Sequence, residues 1–215
     1  MMSLSNHKCD VSNRPIIFLI GGSWSVGKST IAVKLACNLG IANVIHTDVL
    51  RTCMRASIKS EESYCLSLAT YETWRCQSAT FSPQSLSSGF LRQCQAVLPL
   101  VRQCLHEAIQ YGKDTVVEGL HLHPILVQEI MKEVPAIYVW LTYPDNMYGK
   151  KVCDRCCTTY KNRSASRYLE ADRKKQILML NQLLLDGARE RNVSILDVTK
   201  QDVVTTLINM LVKKS

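Results

Sequence analysis

Short apolar runs alternate with longer amphipathic stretches along this chain. The apolar runs cover residues 15–20, 43–48, 115–119, 136–141 and 194–198, and two glycines follow the first of them. Runs of this length, bounded by turn residues, are typical of strands that are buried on both faces. Five such strands separated by helical stretches predict an α/β fold, in which helices cover both faces of a five-stranded parallel sheet.

Helical periodicity fills most of the intervals between these runs. Apolar residues recur at helical spacing from Ile31 to Leu39, and Gly40 is suited to end that helix. A long helix is predicted over residues 89–111, with a kink at Pro99. Shorter helices are predicted over residues 49–58, 124–133, 177–192 and 203–211.

The composition suits one globular domain that binds an anion. With 215 residues, of which 47% are apolar and 20% charged, the chain is predicted to form a single domain over residues 1–215. Residues 59–88 are rich in Ser and Thr with little periodicity, which predicts a loop-dominated insertion that has room for one short helix. The net charge of +8 favours nucleic acid or a phosphorylated small molecule. Because basic residues are not interleaved with aromatic ones, we do not expect nucleic-acid binding.

The hydropathy of the chain and the positions of its cysteines indicate the cellular compartment in which we expect it. No apolar run approaches the ~20 residues that span a bilayer, and the first ten residues lack the apolar core of a signal peptide. Several of the ten cysteines lie inside apolar helical patterns, where a reduced cysteine behaves as a small hydrophobe. We therefore expect a cytoplasmic chain with free thiols and no membrane association. The sequence pattern specifies no oligomeric state.

One segment matches the phosphate-binding pattern G-x-x-x-x-G-K-[ST] at every fixed position. A buried strand precedes it and a helix is expected to begin at Lys28, which is the context that the pattern requires. Glycines allow a sharp turn whose backbone N–H groups point inward at a helix N-terminus. In such a loop Lys28 reaches the β- and γ-phosphates and the Ser29 hydroxyl ligates Mg²⁺, which predicts ATP and Mg²⁺ as cofactors. The predicted nucleotide-binding residues are Gly22, Ser23, Trp24, Ser25, Val26, Gly27, Lys28, Ser29 and Thr30.

Two carboxylates are expected beside the bound phosphates. Asp48 is predicted to end the second strand and Glu118 the third, and ligands of an open parallel sheet lie beyond the carboxyl ends of its strands. One carboxylate is expected to hold Mg²⁺ through water, together with Ser29, and the other to accept a proton from an acceptor hydroxyl. The sequence pattern does not say which of the two carboxylates holds Mg²⁺ and which accepts the proton. Asp48 is also suited to cap a helix that begins at Val49.

Basic residues are expected on the acceptor side. Arg51 lies one helical turn after Asp48, placed either to meet an acceptor carboxylate or phosphate or to be solvated at the surface. Residues 145–167 follow the fourth strand, where small-molecule kinases carry a mobile lid whose arginines stabilise charge on the transferring phosphoryl group. We expect about half of the basic residues in this segment to be simply solvated at the surface. The basic residues of the lid are Lys150, Lys151, Arg155, Lys161, Arg163 and Arg167, with Arg155 the predicted catalytic arginine.

Several blocks of the chain match one family of kinases. They are Gly21 to Ala32, Thr47 to Arg51 followed by Met54-Arg55, Leu68 to Trp74, Gly89-Phe90 with Gln93, Gln95 and Val97, Val117 to Leu122, and Arg167-Tyr168-Leu169. On these blocks, residues 15–200 or so resemble the 2-phosphoglycerate kinase family of P-loop kinases. Where that family has a second loop glycine, this chain has Ser25, for which a positive φ costs more than for glycine. A histidine of the family is missing from residues 145–150.

The resemblance implies a fold, a reaction and a set of acceptor residues. The fold is a P-loop NTPase three-layer sandwich, nucleoside-kinase-like and with a lid. The reaction is ATP-dependent phosphorylation of the free hydroxyl of 2-phosphoglycerate, a small anionic acceptor, to give 2,3-bisphosphoglycerate. A packed or exposed side chain without a substrate role is the alternative for His121. The implied acceptor residues are Asp48, Arg51, Tyr71, Gln93, His121, Arg163 and Arg167.

Three alternatives stay open at this point. P-loop kinases for nucleosides, polyols or amino sugars (the zeta-toxin type) share the same phosphate machinery. A non-catalytic nucleotide-binding regulator is the second, although the intact set of Lys28, Ser29, Asp48 and Glu118 argues against it. The third is a metal clip in the lid, but no second ligand pair with suitable spacing follows, which favours ordinary thiols there. The lid cysteines are Cys153, Cys156 and Cys157.

Overall fold

The central sheet contains five strands, all parallel, in a computed structural model that describes residues 14–58, 62–144, 147–151, 171–200 and 202–213. In spatial order the strands run β2-β3-β1-β4-β5, so β1 lies at the centre between β3 and β4. The predicted five-stranded parallel sheet is confirmed. The strands are β1 (Ile17–Gly22), β2 (Asn43–His46), β3 (Thr115–Glu118), β4 (Ile137–Thr142) and β5 (Ser194–Asp197).

Helices connect the strands, as the periodicity predicts. Residues 147–151 are also helical. The remaining helical elements are α1 (Lys28–Leu39), α2 (Thr47–Ser57), α3 (Glu62–Ser67), a 3-10 helix (Thr70–Cys76), α4 (Pro83–Gln110), α5 (Pro124–Glu133), α6 (Ala171–Glu190) and α7 (Val203–Val212).

Two apolar clusters lie on opposite faces of the sheet, because successive side chains of a strand point to opposite sides. In β1, Leu19 packs in one cluster, with residues of α4, α5 and α6, and Phe18 packs in the other, with residues of α1 and α7. Both side chains are fully buried. Helices on both faces of one sheet make three layers, which confirms the predicted sandwich.

The insertion at residues 59–88 differs from its prediction, because its described part is mainly helical. It holds α3, the 3-10 helix and the first turns of α4, which begins at Pro83 rather than at residue 89. Ser82 and Ser85 form a reciprocal capping box there, and Pro83 occupies the first helical turn. Serines at these positions therefore start a helix, although they resemble loop composition.

The structure gives the state of the cysteines and the character of the helices within the described residues. The cysteines that the structure describes are free, namely Cys37, Cys53, Cys65, Cys76, Cys94 and Cys104. In the same residues no cluster of three His, Cys, Asp or Glu side chains is suited to a metal ion, and no helix has the length and apolar character of a membrane span. The three lid cysteines lie outside the described residues.

Candidate active site

The phosphate loop lies between β1 and α1 and has the backbone shape of an anion cradle. Gly27, the residue before α1, has φ 86°, and Ser25 has φ 61°. Both values are left-handed, so the loop turns tightly enough to direct its N–H groups toward one point at the helix N-terminus. At Gly22, with φ 146°, a Cβ would approach the Leu141 carbonyl oxygen to 2.7 Å. The loop residues therefore fit the phosphates of a nucleotide.

Side chains brace this loop from within. Lys28 donates from Nζ to the Ser23 carbonyl oxygen at 2.8 Å, so its ammonium group lies over the loop. Tyr148 donates from its hydroxyl to Ser23 Oγ at 2.9 Å, and both side chains are buried. Sequence reasoning did not place Tyr148 in the site. The signal that could have found it is a second aromatic residue, after Tyr143, in the short segment that follows β4.

Glu118 joins three elements at the mouth of the loop. Its Oε1 accepts from Ser29 Oγ at 2.9 Å and from His46 Nδ1 at 2.5 Å, and the residue is only 5% exposed. The register explains the second contact, because His46 and Glu118 are direct partners across β2 and β3. Since Ser29 gives its hydrogen to Glu118, the oxygen lone pairs of Ser29 stay available to a cation. A hydroxyl beside a carboxylate fits the oxygen ligands that Mg²⁺ prefers.

Asp48 lies near this cluster, but not where the sequence predicts. β2 ends at His46 and α2 begins at Thr47, so Asp48 belongs to the first turn of α2 rather than to the end of a strand. The structure gives α2 no side-chain cap, so the capping alternative is also wrong. The Asp48 side chain is 71% exposed, with Oδ1 at 3.7 Å from His121 Nδ1 and 3.9 Å from Arg51 Nε. An exposed carboxylate in a cluster of polar side chains is accessible to a ligand.

His121 is buried between Thr47 and Gln93. Its Nε2 lies 3.3 Å from Gln93 Oε1, and its Nδ1 lies 3.1 Å from Thr47 Oγ1. The amide nitrogen of Gln93 already donates to backbone carbonyls, so Oε1 must accept from His121 Nε2–H, and Nδ1 accepts from Thr47. Burial lowers the pKa of His121 from 6.5 to about 4, against an opposing effect of Asp48. His121 is therefore a neutral, packed histidine at neutral pH.

Arg51 holds the backbone of the insertion in place. Its Nη1 donates to the Leu66 and Leu68 carbonyl oxygens, both at 3.0 Å. Gln93 Nε2 donates to the neighbouring Cys65 carbonyl at 2.6 Å and to Leu68 at 3.2 Å. The Arg51 side chain is 21% exposed, so the prediction of a solvated surface arginine is wrong. Its contact with an acceptor stays a prediction.

The structure thus brings most of the predicted site residues into two adjoining groups. Lys28, Ser29 and Glu118 form one, at the phosphate loop, and Asp48, Arg51, Gln93 and His121 form the other. The charges of Asp48, Arg51 and Lys28 all influence the pKa of His121. Tyr71 is buried and packs against Trp24 of the loop. The predicted lid residues Arg155, Arg163 and Arg167 lie outside the described residues.

Sequence comparison finds curated relatives that are named 2-phosphoglycerate kinase. A 2-phosphoglycerate kinase from Pyrococcus furiosus is 31% identical over 202 residues, covering 94% of this chain and 65% of that protein. One from Methanopyrus kandleri is 29% identical over 206 residues, covering 93% and 62% respectively. The chain therefore spans less than two thirds of the length of these relatives. No protein-family model matches it.

Solved structures with the same fold are more distant in sequence. TT1252 from Thermus thermophilus superposes with a TM-score of 0.55 at 15% identity, covering 94% of this chain and 98% of that one. Shikimate kinase from Acinetobacter baumannii superposes with a TM-score of 0.51 at 17% identity, covering 93% and 92%. At such identities the likeness concerns the fold alone, which is that of the P-loop kinases.

Proposed function

The chain belongs by sequence to the 2-phosphoglycerate kinase family of P-loop kinases, and from that premise we propose that it phosphorylates 2-phosphoglycerate to 2,3-bisphosphoglycerate. One observation carries the proposal. Glu118 Oε1 accepts from Ser29 at the phosphate loop, and the exposed Asp48 stands two residues after His46, the other donor to that carboxylate. A nucleotide site and a carboxylate suited to an acceptor hydroxyl thus occur on neighbouring elements.

On the nucleotide side, the residues fit ATP and Mg²⁺. The loop N–H groups and Lys28 would hold the phosphates, and Ser29 would hold the metal, with Glu118 fixing the orientation of its hydroxyl. Bound ATP supplies the phosphoryl group, while Mg²⁺ offsets its negative charge. His46 would keep the Glu118 carboxylate directed at Ser29, because its Nδ1–H donates to the same oxygen.

On the acceptor side, we assign to Asp48 the role of the base that accepts the proton of the acceptor hydroxyl. Glu118 is buried and already accepts two hydrogen bonds, whereas Asp48 is 71% exposed. In this role, Asp48 would accept the proton of the acceptor hydroxyl at Oδ1 or Oδ2. Neutral His121 faces Asp48 with the lone pair of Nδ1, so it does not neutralise that carboxylate. Arg51, together with Arg163 and Arg167, would attract the negative charges of the acceptor, and Arg155 would stabilise charge on the transferring phosphoryl group.

The compartment belongs to the same proposal. We place the protein in the cytoplasm, where 2-phosphoglycerate, ATP and Mg²⁺ would all be supplied to it. The cysteines in the described part of the chain are free, as in a reducing compartment.

The test is ADP release by the purified chain with Mg²⁺-ATP and single acceptors, followed by phosphorus NMR of the product. The acceptors are 2-phosphoglycerate, 3-phosphoglycerate, a nucleoside, a polyol and an amino sugar. Stimulation by 2-phosphoglycerate, with two phosphate monoesters on one glycerate, is the expected result. Stimulation by another acceptor alone would support kinase activity but would contradict 2-phosphoglycerate as the substrate.

Matched variants separate the roles of the residues. Lys28→Ala should lower turnover about a hundredfold or more, while Lys34→Ala on the exposed face of α1 should not. Asp48→Asn should lower kcat by about 10²- to 10³-fold and change the KM for ATP by less than about twofold. Asp186→Asn removes an exposed carboxylate from α6 and serves as its control. Full activity of Asp48→Asn would remove Asp48 from the mechanism.

A further inference from the structure

Two cysteines of the insertion lie on neighbouring helices with their side chains in contact. Cys65 lies in α3 and Cys76 ends the 3-10 helix, with their sulfur atoms 3.2 Å apart. Cys76 Sγ also lies 2.9 Å from the Thr73 carbonyl oxygen, which accepts from it. A disulfide bond measures about 2.05 Å, so these sulfurs need to approach by only about 1 Å.

The two cysteines differ in their surroundings. A cleft of about 600 Å³, which Arg92 and Gln95 also line, borders Cys65 but not Cys76, so Cys65 has space on a side other than that of its partner. Cys76 is half-buried and so has solvent access, whereas Cys65 is 3% exposed. Of the two residues, Cys76 is therefore the more exposed to a reagent in solution, and the fold holds Cys65 beside it.

We propose that Cys65 and Cys76 are a redox-active pair that closes to a reversible disulfide and fixes α3 to the 3-10 helix. The oxidant is a small disulfide such as oxidised glutathione. The Cys76 thiolate attacks one of its sulfurs, forming a mixed disulfide and releasing one glutathione thiol. Cys65, as thiolate, then attacks Cys76 Sγ and expels the second. Two protein thiols lose two electrons and two protons, which the two glutathione thiols receive.

Protonation of Cys65 limits the second step. In the reduced pair, burial, and then the hydrogen bond with Cys76, raise the pKa of Cys65 to about 12. Burial, the larger cause, still raises this pKa in the mixed disulfide, where Cys76 has no thiol hydrogen. Only the thiolate of Cys65 attacks. At any pH below the pKa, the thiolate fraction rises about tenfold for each unit by which the pH is raised. The rate of ring closure should therefore rise with pH between 7 and 9.

Closure would act on the acceptor side of the site. The Cys65 carbonyl accepts from Gln93, whose Oε1 contacts His121. The carbonyls of Leu66 and Leu68, shortly after Cys65 in the chain, accept from Arg51. Drawing Cys65 toward Cys76 displaces these groups together. This consequence rests on the proposed function: a shift of about 1 Å should lower kcat/KM for the acceptor about tenfold or more and leave the KM for ATP unchanged.

The test begins with chemistry that needs no activity. The full chain is equilibrated with reduced and oxidised glutathione at several ratios, alkylated and digested with trypsin. Cleavage after Arg75 puts Cys65 in peptide 60–75 and Cys76 in peptide 76–92. The expected product joins these two peptides, is two hydrogens lighter than their sum and disappears on reduction. A link from peptide 60–75 to peptide 93–102, which holds Cys94, would overturn the pairing, as would oxidation confined to Cys37 and Cys53.

Variants and kinetics complete the test. Cys76→Ser keeps a donor for the Thr73 carbonyl and should abolish the linked product, whereas Cys53→Ser on exposed α2 should not. Acceptor kinetics are then compared for the oxidised and reduced chain. Inactivity of the reduced chain would contradict the proposed function and leave the peptide result intact. A linked chain with unchanged acceptor kinetics would overturn the effect on the site.

Discussion

Trp24 of the phosphate loop packs edge-on against Tyr71 of the 3-10 helix, with ring centroids 5.5 Å apart and ring planes at 87°. The contact joins the nucleotide-binding loop to the insertion that carries the acceptor-side residues. Both residues belong to the predicted site, but their spacing in the sequence gives no sign that they touch.

A double-mutant cycle measures this contact. Trp24→Ala, Tyr71→Ala and the double variant should show a coupling of about 1 kcal/mol in urea unfolding, because edge-to-face pairs contribute about that much beyond their burial. The matched cycle pairs Trp24→Ala with Tyr64→Ala, whose side chain is exposed on α3, and should be additive. Equal coupling in both cycles would show that the rings do not interact specifically.

His46 is expected to position Glu118 rather than to touch a substrate. His46→Ala removes one of the two donors to Glu118 Oε1, so the carboxylate gains freedom to turn away from Ser29. We expect kcat to fall about tenfold and the Mg²⁺ concentration for half-maximal activity to rise, as for other groups behind a metal site. Turnover is measured against Mg²⁺ concentration at saturating ATP.

Controls distinguish positioning from loss of folding. His46→Gln restores an N–H donor and should recover most of the activity. His106→Ala removes an exposed histidine from α4 and should leave the Mg²⁺ dependence unchanged. If His46→Ala alters kcat but not the Mg²⁺ dependence, the positioning role is wrong.

Gly89 allows α4 to cross the 3-10 helix closely. A Cβ there would lie 2.1 Å from the Thr73 carbonyl oxygen, which is backbone and cannot move alone. Gly89→Ala should therefore destabilise the fold by about 3 kcal/mol. Gly187→Ala in α6 meets only the end of the Arg191 side chain at 3.9 Å and should stabilise by about 0.5–1 kcal/mol. Thermal unfolding compares the two, and destabilisation of similar size would contradict the steric argument.

The sequence predicts the sheet better than it predicts the site, for physical reasons. Strand number and the start of α1 follow from buried apolar runs and from the glycine before Lys28, which are local signals. The positive φ at Ser25, 61°, could be anticipated because the family has glycine there. By contrast, the His46–Glu118 contact depends on which strands are neighbours, and the place of Asp48 depends on where one helix begins. Neither is encoded in a short stretch of residues.

Acid should destabilise the fold through two buried histidines. Burial lowers the pKa of His121 and of His123 from 6.5 to about 4 each. In His123 the Nδ1 atom accepts from the Ile125 N–H and so caps α5, which requires that nitrogen to be unprotonated. Unfolded histidines bind protons near pH 6.5, so between 6.5 and 4 the unfolded chain binds more protons than the folded one. Stability is therefore lost as pH falls through this window, and these groups add no further loss below it.

His123→Asn isolates one of the two contributions. Asparagine is a good N-cap and does not titrate, so the variant keeps the cap and removes the proton-binding group. Between pH 7 and pH 5 the wild-type free energy of unfolding should fall by about 2 kcal/mol more than that of the variant. His106→Asn, an exposed position, should follow the wild type. Equal losses in wild type and His123→Asn would mean that His123 already binds its proton in the folded chain, and its burial would then not disfavour the charge.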